Sequence, residues 1–318
     1  MKICAPLTKL LWIFTASLLA SGPLLAETLD IRPGLRTGEI YRWDYQRAME
    51  QQSEGKPKKS GASITAVTAK VLESSASGYV LEWRYGKTRL LDSDQAKALA
   101  QKDMQWIRDF AKELRFELQL GPDGQFVQLR NYEQIKPKID QMIERVLAMA
   151  AQENKSSPEE MKQVGDMMRG MFASRERVES LMLKDVRLLL FPFGMLLDSD
   201  APLTYQAPLP NPFGGENLQA DGVISLTSLN RKRGIATVNL DQKLSPDSVT
   251  KMITAMTQKM GEKRPAPEEL AKLKADITDK ASYTVNLKSG FASKVEFMRT
   301  VYMPGGHRID KVSFNSTH

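Results

Sequence analysis

The sequence predicts an α+β fold in which an antiparallel, curved sheet, built from two strand-helix-strand halves, is covered by amphipathic helices. Three observations predict it. The stretch from Tyr283 to Phe314 alternates with a period of two and is broken by glycine turns, the pattern of a meander with one buried face. Tyr41, Trp43 and Tyr45 alternate near the start, and Tyr79, Leu81, Trp83 and Tyr85 repeat the pattern, so two aromatic rows are expected to meet across a sheet. Between and after these strands, apolar residues recur at three- to four-residue spacing in runs bounded by helix caps.

Taken in order, residues 1–26 have the form of a cleavable export signal. Lys2 and Lys9 flank the apolar run Leu10 to Ala20, and Leu24-Leu25-Ala26 offers a small residue for cleavage before Glu27. A retained membrane anchor is the alternative; Gly22-Pro23 interrupts the run and argues against it. The expected location is therefore periplasmic or secreted, with no further span in the mature chain. Cys4, the only cysteine, lies inside the signal, which excludes disulfides, thiolate nucleophiles and zinc-thiolate sites from the mature protein.

The first half is expected over residues 27–197. Glu39 to Gln51 and Ala62 to Leu72 form its first hairpin, with Lys56-Pro57-Lys58-Lys59 as a solvated tip, and a third strand begins at Tyr79. Leu99, Met104, Ile107, Phe110 and Leu114 place a helix from Ser93 to Leu114. Phe116 to Leu120 and the run after Phe126 flank Gly121-Pro122-Asp123-Gly124, where proline presets one dihedral and glycine accepts a positive one. Ile135, Ile139, Met142, Ile143 and Val146 then form a helical stripe. Ser157-Pro158-Glu159-Glu160 starts another helix, with stripe Met161, Val164, Met168, Met171 and Phe172. Helical spacing continues through Val178 and Val186 until Pro192 and Gly194.

Residues 198–215 carry four prolines and read as an extended connector, leaving 216–318 as the second half. There Val223 to Leu229 pairs with Ile235 to Leu240. Ser245-Pro246 starts a helix with stripe Val249, Ile253, Met256 and Met260, and a short helix containing Leu270, Leu273 and Ile277 precedes the meander. Its last strand changes apolar parity between Ile309 and Val312, which suggests a bulge or an irregular edge.

The Gly38-Glu39-x-Tyr41-x-Trp43-x-Tyr45 opening, the long first hairpin and the Gly121-x-x-Gly124-x-Phe126 turn resemble an uncharacterised family of exported bacterial proteins. That family supplies no established activity. A looser resemblance, of fold alone, is to periplasmic lipoprotein carriers, which implies a sheet closed by helices around an apolar cavity.

Composition excludes several chemistries. Without Lys2 and Lys9 the 45 basic residues become 43 against 38 acidic ones, a charge of +5 spread along the chain, so no nucleic-acid partner is expected. Gly86-Lys87-Thr88 lacks the first glycine of a phosphate loop. Hydrolase signatures reduce to His307, for a triad, and to Ser248-Val249-Thr250-Lys251, a serine-lysine pattern without its companion motifs.

Methionine is the unusual usage: half of the sixteen fall between Met142 and Met195. Thioethers fill irregular cores, and they also line adaptable grooves. A groove lined by Trp43, Trp83, Met142, Met168, Met171, Phe172, Met256 and Met260 is the expected ligand site. A copper(I) site on Met167, Met168 and Met171, or on the Met252 series, is the alternative. The sequence thus points to a non-enzymatic exported protein without cofactor, acting as carrier, chaperone-like factor or envelope scaffold. Its expected partner is a lipid, another apolar ligand or an envelope protein.

Overall fold

The structure is a computed structural model that describes residues 27–91, 106, 110, 112–153, 157–209, 217–259, 276–303 and 305–317. The proposed signal, Met260, Leu270, Leu273 and most of the helix expected after Ser93 lie outside these residues. Alternation organises nearly everything else. The strands are β1 (Thr28–Asp30), β2 (Ile40–Ser53), β3 (Lys59–Ser75), β4 (Gly78–Leu90), β5 (Arg115–Leu120), β6 (Phe126–Leu129), β7 (Leu196–Asp198), β8 (Leu203–Leu209), β9 (Leu218–Asn230), β10 (Ile235–Leu244), β11 (Asp276–Asn286), β12 (Ala292–Met303) and β13 (Gly306–Ser316). Eleven of them form one antiparallel sheet in the order β6-β5-β4-β3-β2-β13-β12-β11-β10-β9-β8, and β1 pairs separately with β7.

The sheet is open, with β6 and β8 at its edges. Strand outweighs helix, 52% to 26%, so the fold is more sheet-rich than the balanced α+β class expected. Two local expectations are corrected. Strand β13 is central and pairs with β12 and β2 without a register shift, so the parity change at Ile309 is not a bulge; Ile309 faces outward, while Val312 and Phe314 face inward and are buried. Ile277, expected on a short helix, lies in β11 opposite Val301, because its apolar neighbours are set by cross-strand pairing.

One face of the sheet, called inward here, is covered. Trp43, Tyr45, Val67, Trp83, Phe116, Leu118, Val238, Tyr283, Val295 and Phe314 all lie on it and belong to one buried cluster that crosses the β2–β13 seam. Trp43 stacks on Trp83 at 6.1 Å between ring centroids, and Tyr45 on Phe314 at 5.0 Å. Helices α1 (Tyr132–Glu153), α2 (Pro158–Met171), α3 (Arg175–Met182) and α4 (Lys184–Leu190) follow β6. Ile135, Ile139 and Ile143 of α1 and Val186, Leu189 and Leu190 of α4 enter the core. Ser157 forms the full capping box with Glu160 at the start of α2, as the motif predicts.

Helix α2 differs from the expected cover: it packs on α1, with Arg169 paired to Glu144, and Val164, Met167 and Met171 remain exposed. Gly165, the one buried residue of its middle turns, permits that approach beside Leu147. Helix α5 (Pro246–Lys259) covers the other end of the inward face, where Val249, Met252 and Ile253 join Leu218, Ala220 and Leu244 in a second, smaller cluster. Gly124 adopts φ +86°, and a Cβ there would lie 2.7 Å from the Phe193 ring, so both the turn and the packing require glycine.

A candidate ligand groove on the inward face

The two apolar clusters are separated by a row of polar residues. Register puts Tyr205, Gly222, Gln242, Asp279, Arg299, Asp310 and Met49 side by side on seven successive strands, β8 through β2, all at inward positions. The Tyr205 hydroxyl donates to Gln242 Oε1 at 2.7 Å, and Gln242 Nε2 donates to Asp279 Oδ2 at 3.3 Å. Arg299 donates through Nε and Nη2 to both oxygens of Asp279, at 2.7 and 2.6 Å. Arg308 grips Asp310 in the same bidentate way, at 2.8 Å for each bond. Gly222 makes room for this row: a Cβ there would meet the Tyr205 ring at 2.3 Å.

A groove runs along the row. Its lower part is a cavity of about 490 Å³ walled by Met252 of α5, Ile277, Val301 and Met303 on one side and by Gln51, Arg299, Arg308 and Asp310 on the other. An adjoining cavity of about 330 Å³ shares Arg299, Arg308 and Asp310 and continues past Arg47 and Met49 to Lys184 and Asp185 of α4. Both fall within the size range of small-molecule sites, and the lower one joins apolar wall to convergent polar groups.

Asp185 ties α4 to the floor. Tyr45 donates its hydroxyl to Asp185 Oδ2, Arg47 Nη1 lies 3.8 Å from the same oxygen, and Asp185 Oδ1 is buried without a partner among the described residues. Burial, then the Asp185 charge, pushes the Tyr45 hydroxyl far above its ordinary pKa. Tyr85 is pushed up to about 12, mainly by burial. Tyr283, wholly buried with no partner for its hydroxyl among the described residues, is pushed up by burial. The hydrogen bonds to Asp279 hold the Arg299 guanidinium charged against burial.

No protein-family model and no curated protein matches the chain. Solved structures that match include one described as "lipid-protein interactions in lipovitellin", with 8% sequence identity and a TM-score of 0.44. That alignment covers 89% of this chain and 25% of the other, so the chain spans about a quarter of that protein's length.

The residues singled out by sequence do not share one lining. Trp43 and Trp83 are sealed in the core, about 2% exposed or less, beyond reach of a ligand. Met142, Met168 and Phe172 lie half-buried against the same core, and Met171 is exposed on α2. Met168 faces the core while Met167 and Met171 face away from it, which does not converge the three sulfurs of the copper alternative. Met256 is helical, with its side chain outside the described residues, but its neighbour Met252 reaches the groove. The hydrolase candidates are also apart. The Ser248 hydroxyl is buried in the first turn of α5, accepting from the Gln219 amide at 2.6 Å and the Ser245 hydroxyl at 2.9 Å, while His307, at an outward position of β13 beside the Tyr302 ring, is among the residues lining the lower cavity. Among the described residues no helix is long and apolar enough to cross a membrane.

Sequence reading missed Asp279, Arg299, Arg308 and Asp310. The signal was present: Arg299 occupies the position of the alternating series Val295, Phe297, Val301, Met303 at which an apolar residue is due, and Asp279 does the same between Ile277 and Ala281.

Proposed function

We propose that this chain is a non-catalytic, exported binding protein that seats an apolar or amphipathic molecule in the groove between α4 and α5, serving as carrier or chaperone-like factor in the envelope. The observation that carries the reading is the lower cavity, where Ile277, Val301 and Met303, beside the buried Met252, leave apolar wall uncovered by other described residues. A monomeric soluble surface rarely keeps such a wall inside a concavity without an occupant. Methionines at two of the four positions adapt to ligands of differing shape. The basic flank and apolar run of residues 1–26 support export.

Native mass spectrometry of protein purified from the periplasm is expected to show a co-purifying small amphiphile, and an environment-sensitive apolar dye should bind and be displaced by it. Val301→Asp places a charge on the groove wall and should weaken dye binding at least tenfold, roughly the cost of leaving one charge against apolar ligand surface. Unfolding midpoints of the variant would exclude a folding defect. Absence of any co-purified ligand together with absence of dye binding contradicts the proposal.

A further inference from the structure

Resting on that groove reading, we infer that the ligand is an anionic amphiphile with an alkyl chain. The phosphate or carboxylate head is held by Arg299 and Arg308, and the chain lies against Ile277, Val301 and Met303.

The two guanidiniums are built for this. Arg299 on β12 pairs across to Asp310, and Arg308 on β13 pairs across to Val301, so they are diagonal neighbours on the inward face. Each is held rigid through its Nε and Nη2 edge by a carboxylate. The adjacent Nη1–Nη2 edge of each guanidinium still carries two donors, and the Nη1 of each arginine makes no protein hydrogen bond among the described residues. Two preorganised donor edges side by side match a tetrahedral or planar oxyanion. Charge agrees: Arg47, Lys184, Arg299, Arg308 and Lys311 line the joined cavities against Asp185 and Asp310. Asp279, buried behind Arg299, still leaves five cations to three anions. The apolar wall begins one cross-strand pair away, because Val301 faces Arg308 on one side and Ile277 on the other.

Calorimetric titration of the full chain with decyl phosphate, decanol and inorganic phosphate tests the assignment. Charge-assisted hydrogen bonds to the head should make decyl phosphate bind at least tenfold more tightly than decanol. Inorganic phosphate should bind over a hundredfold more weakly than decyl phosphate, since it lacks the buried methylenes. Arg308→Gln should reduce the phosphate-to-alcohol ratio to about threefold or less while decanol affinity changes by less than that. Arg47→Gln, which leaves both carboxylate forks intact, should narrow the ratio by a smaller factor. Equal affinity for decyl phosphate and decanol, or a ratio that survives both substitutions, overturns the anionic head and leaves the groove. Failure of both alkyl probes overturns the groove itself, and inorganic phosphate binding as tightly as decyl phosphate overturns the alkyl subsite.

Discussion

Replacing Asp279 with alanine should destabilise the protein by about 3 kcal/mol, the low end of what breaking a buried ion pair costs. Asp279 is 5% exposed and accepts both fork bonds of Arg299 and one from Gln242. Its removal strands a guanidinium at the centre of an eleven-stranded sheet. The figure sits at the low end because 32% of the Arg299 side chain still reaches water. The penalty belongs to the orphaned charge more than to the lost attraction, so Asp279→Ala combined with Arg299→Met should recover most of the stability. Urea unfolding with an unchanged m value would measure both effects. A single substitution within 1 kcal/mol of the parent, or a double variant less stable than the single, would show that the polar row is not a coupled unit.

Alkaline conditions should destabilise the protein steeply, because Tyr45 and Tyr283 both have hydroxyl pKa values raised by burial. A raised folded pKa means the folded state keeps a proton that the unfolded chain loses. The stabilisation is fully present below the unfolded value, about 10 for tyrosine, and is lost as pH rises past it. Each tyrosine contributes a slope of about 1.4 kcal/mol per pH unit in that window. Tyr283→Phe separates this effect from packing. Its hydroxyl has no partner among the described residues, so phenylalanine should leave neutral-pH stability unchanged or higher and remove one tyrosine's share of the alkaline slope. Unfolding midpoints measured from about pH 9 to 11 would show it. A slope unaltered by the substitution would contradict the burial argument.

Much of the sheet was legible in the sequence, because a period of two with glycine-rich turns admits few alternatives. The aromatic rows at Trp43 and Trp83 do meet at 6.1 Å, as matched alternation requires. Position in the sheet was not legible. Nothing local to Ile309 to Phe314 says that β13 joins β2, a pairing with more than two hundred and fifty residues between its partners, and this long-range pairing turns an expected edge into the centre. The groove escaped for a related reason. Asp279, Arg299 and Asp310 lie on three consecutive strands and become one row only through the two registers that join them, which local spacing does not fix. Methionine counts pointed partly astray: a helical stripe names a face without saying what covers it, and the face of α2 that carries Met167 and Met171 is exposed.

The most direct test of the groove is photolabelling with a decyl phosphate analogue bearing a diazirine at the chain end, followed by peptide mapping of the labelled sites. The groove account predicts labels on Met252, Ile277, Val301 and Met303, suppressed by excess decyl phosphate. Labels confined to Val164, Met167 and Met171 of α2, or scattered over the outward face of the sheet, would contradict it.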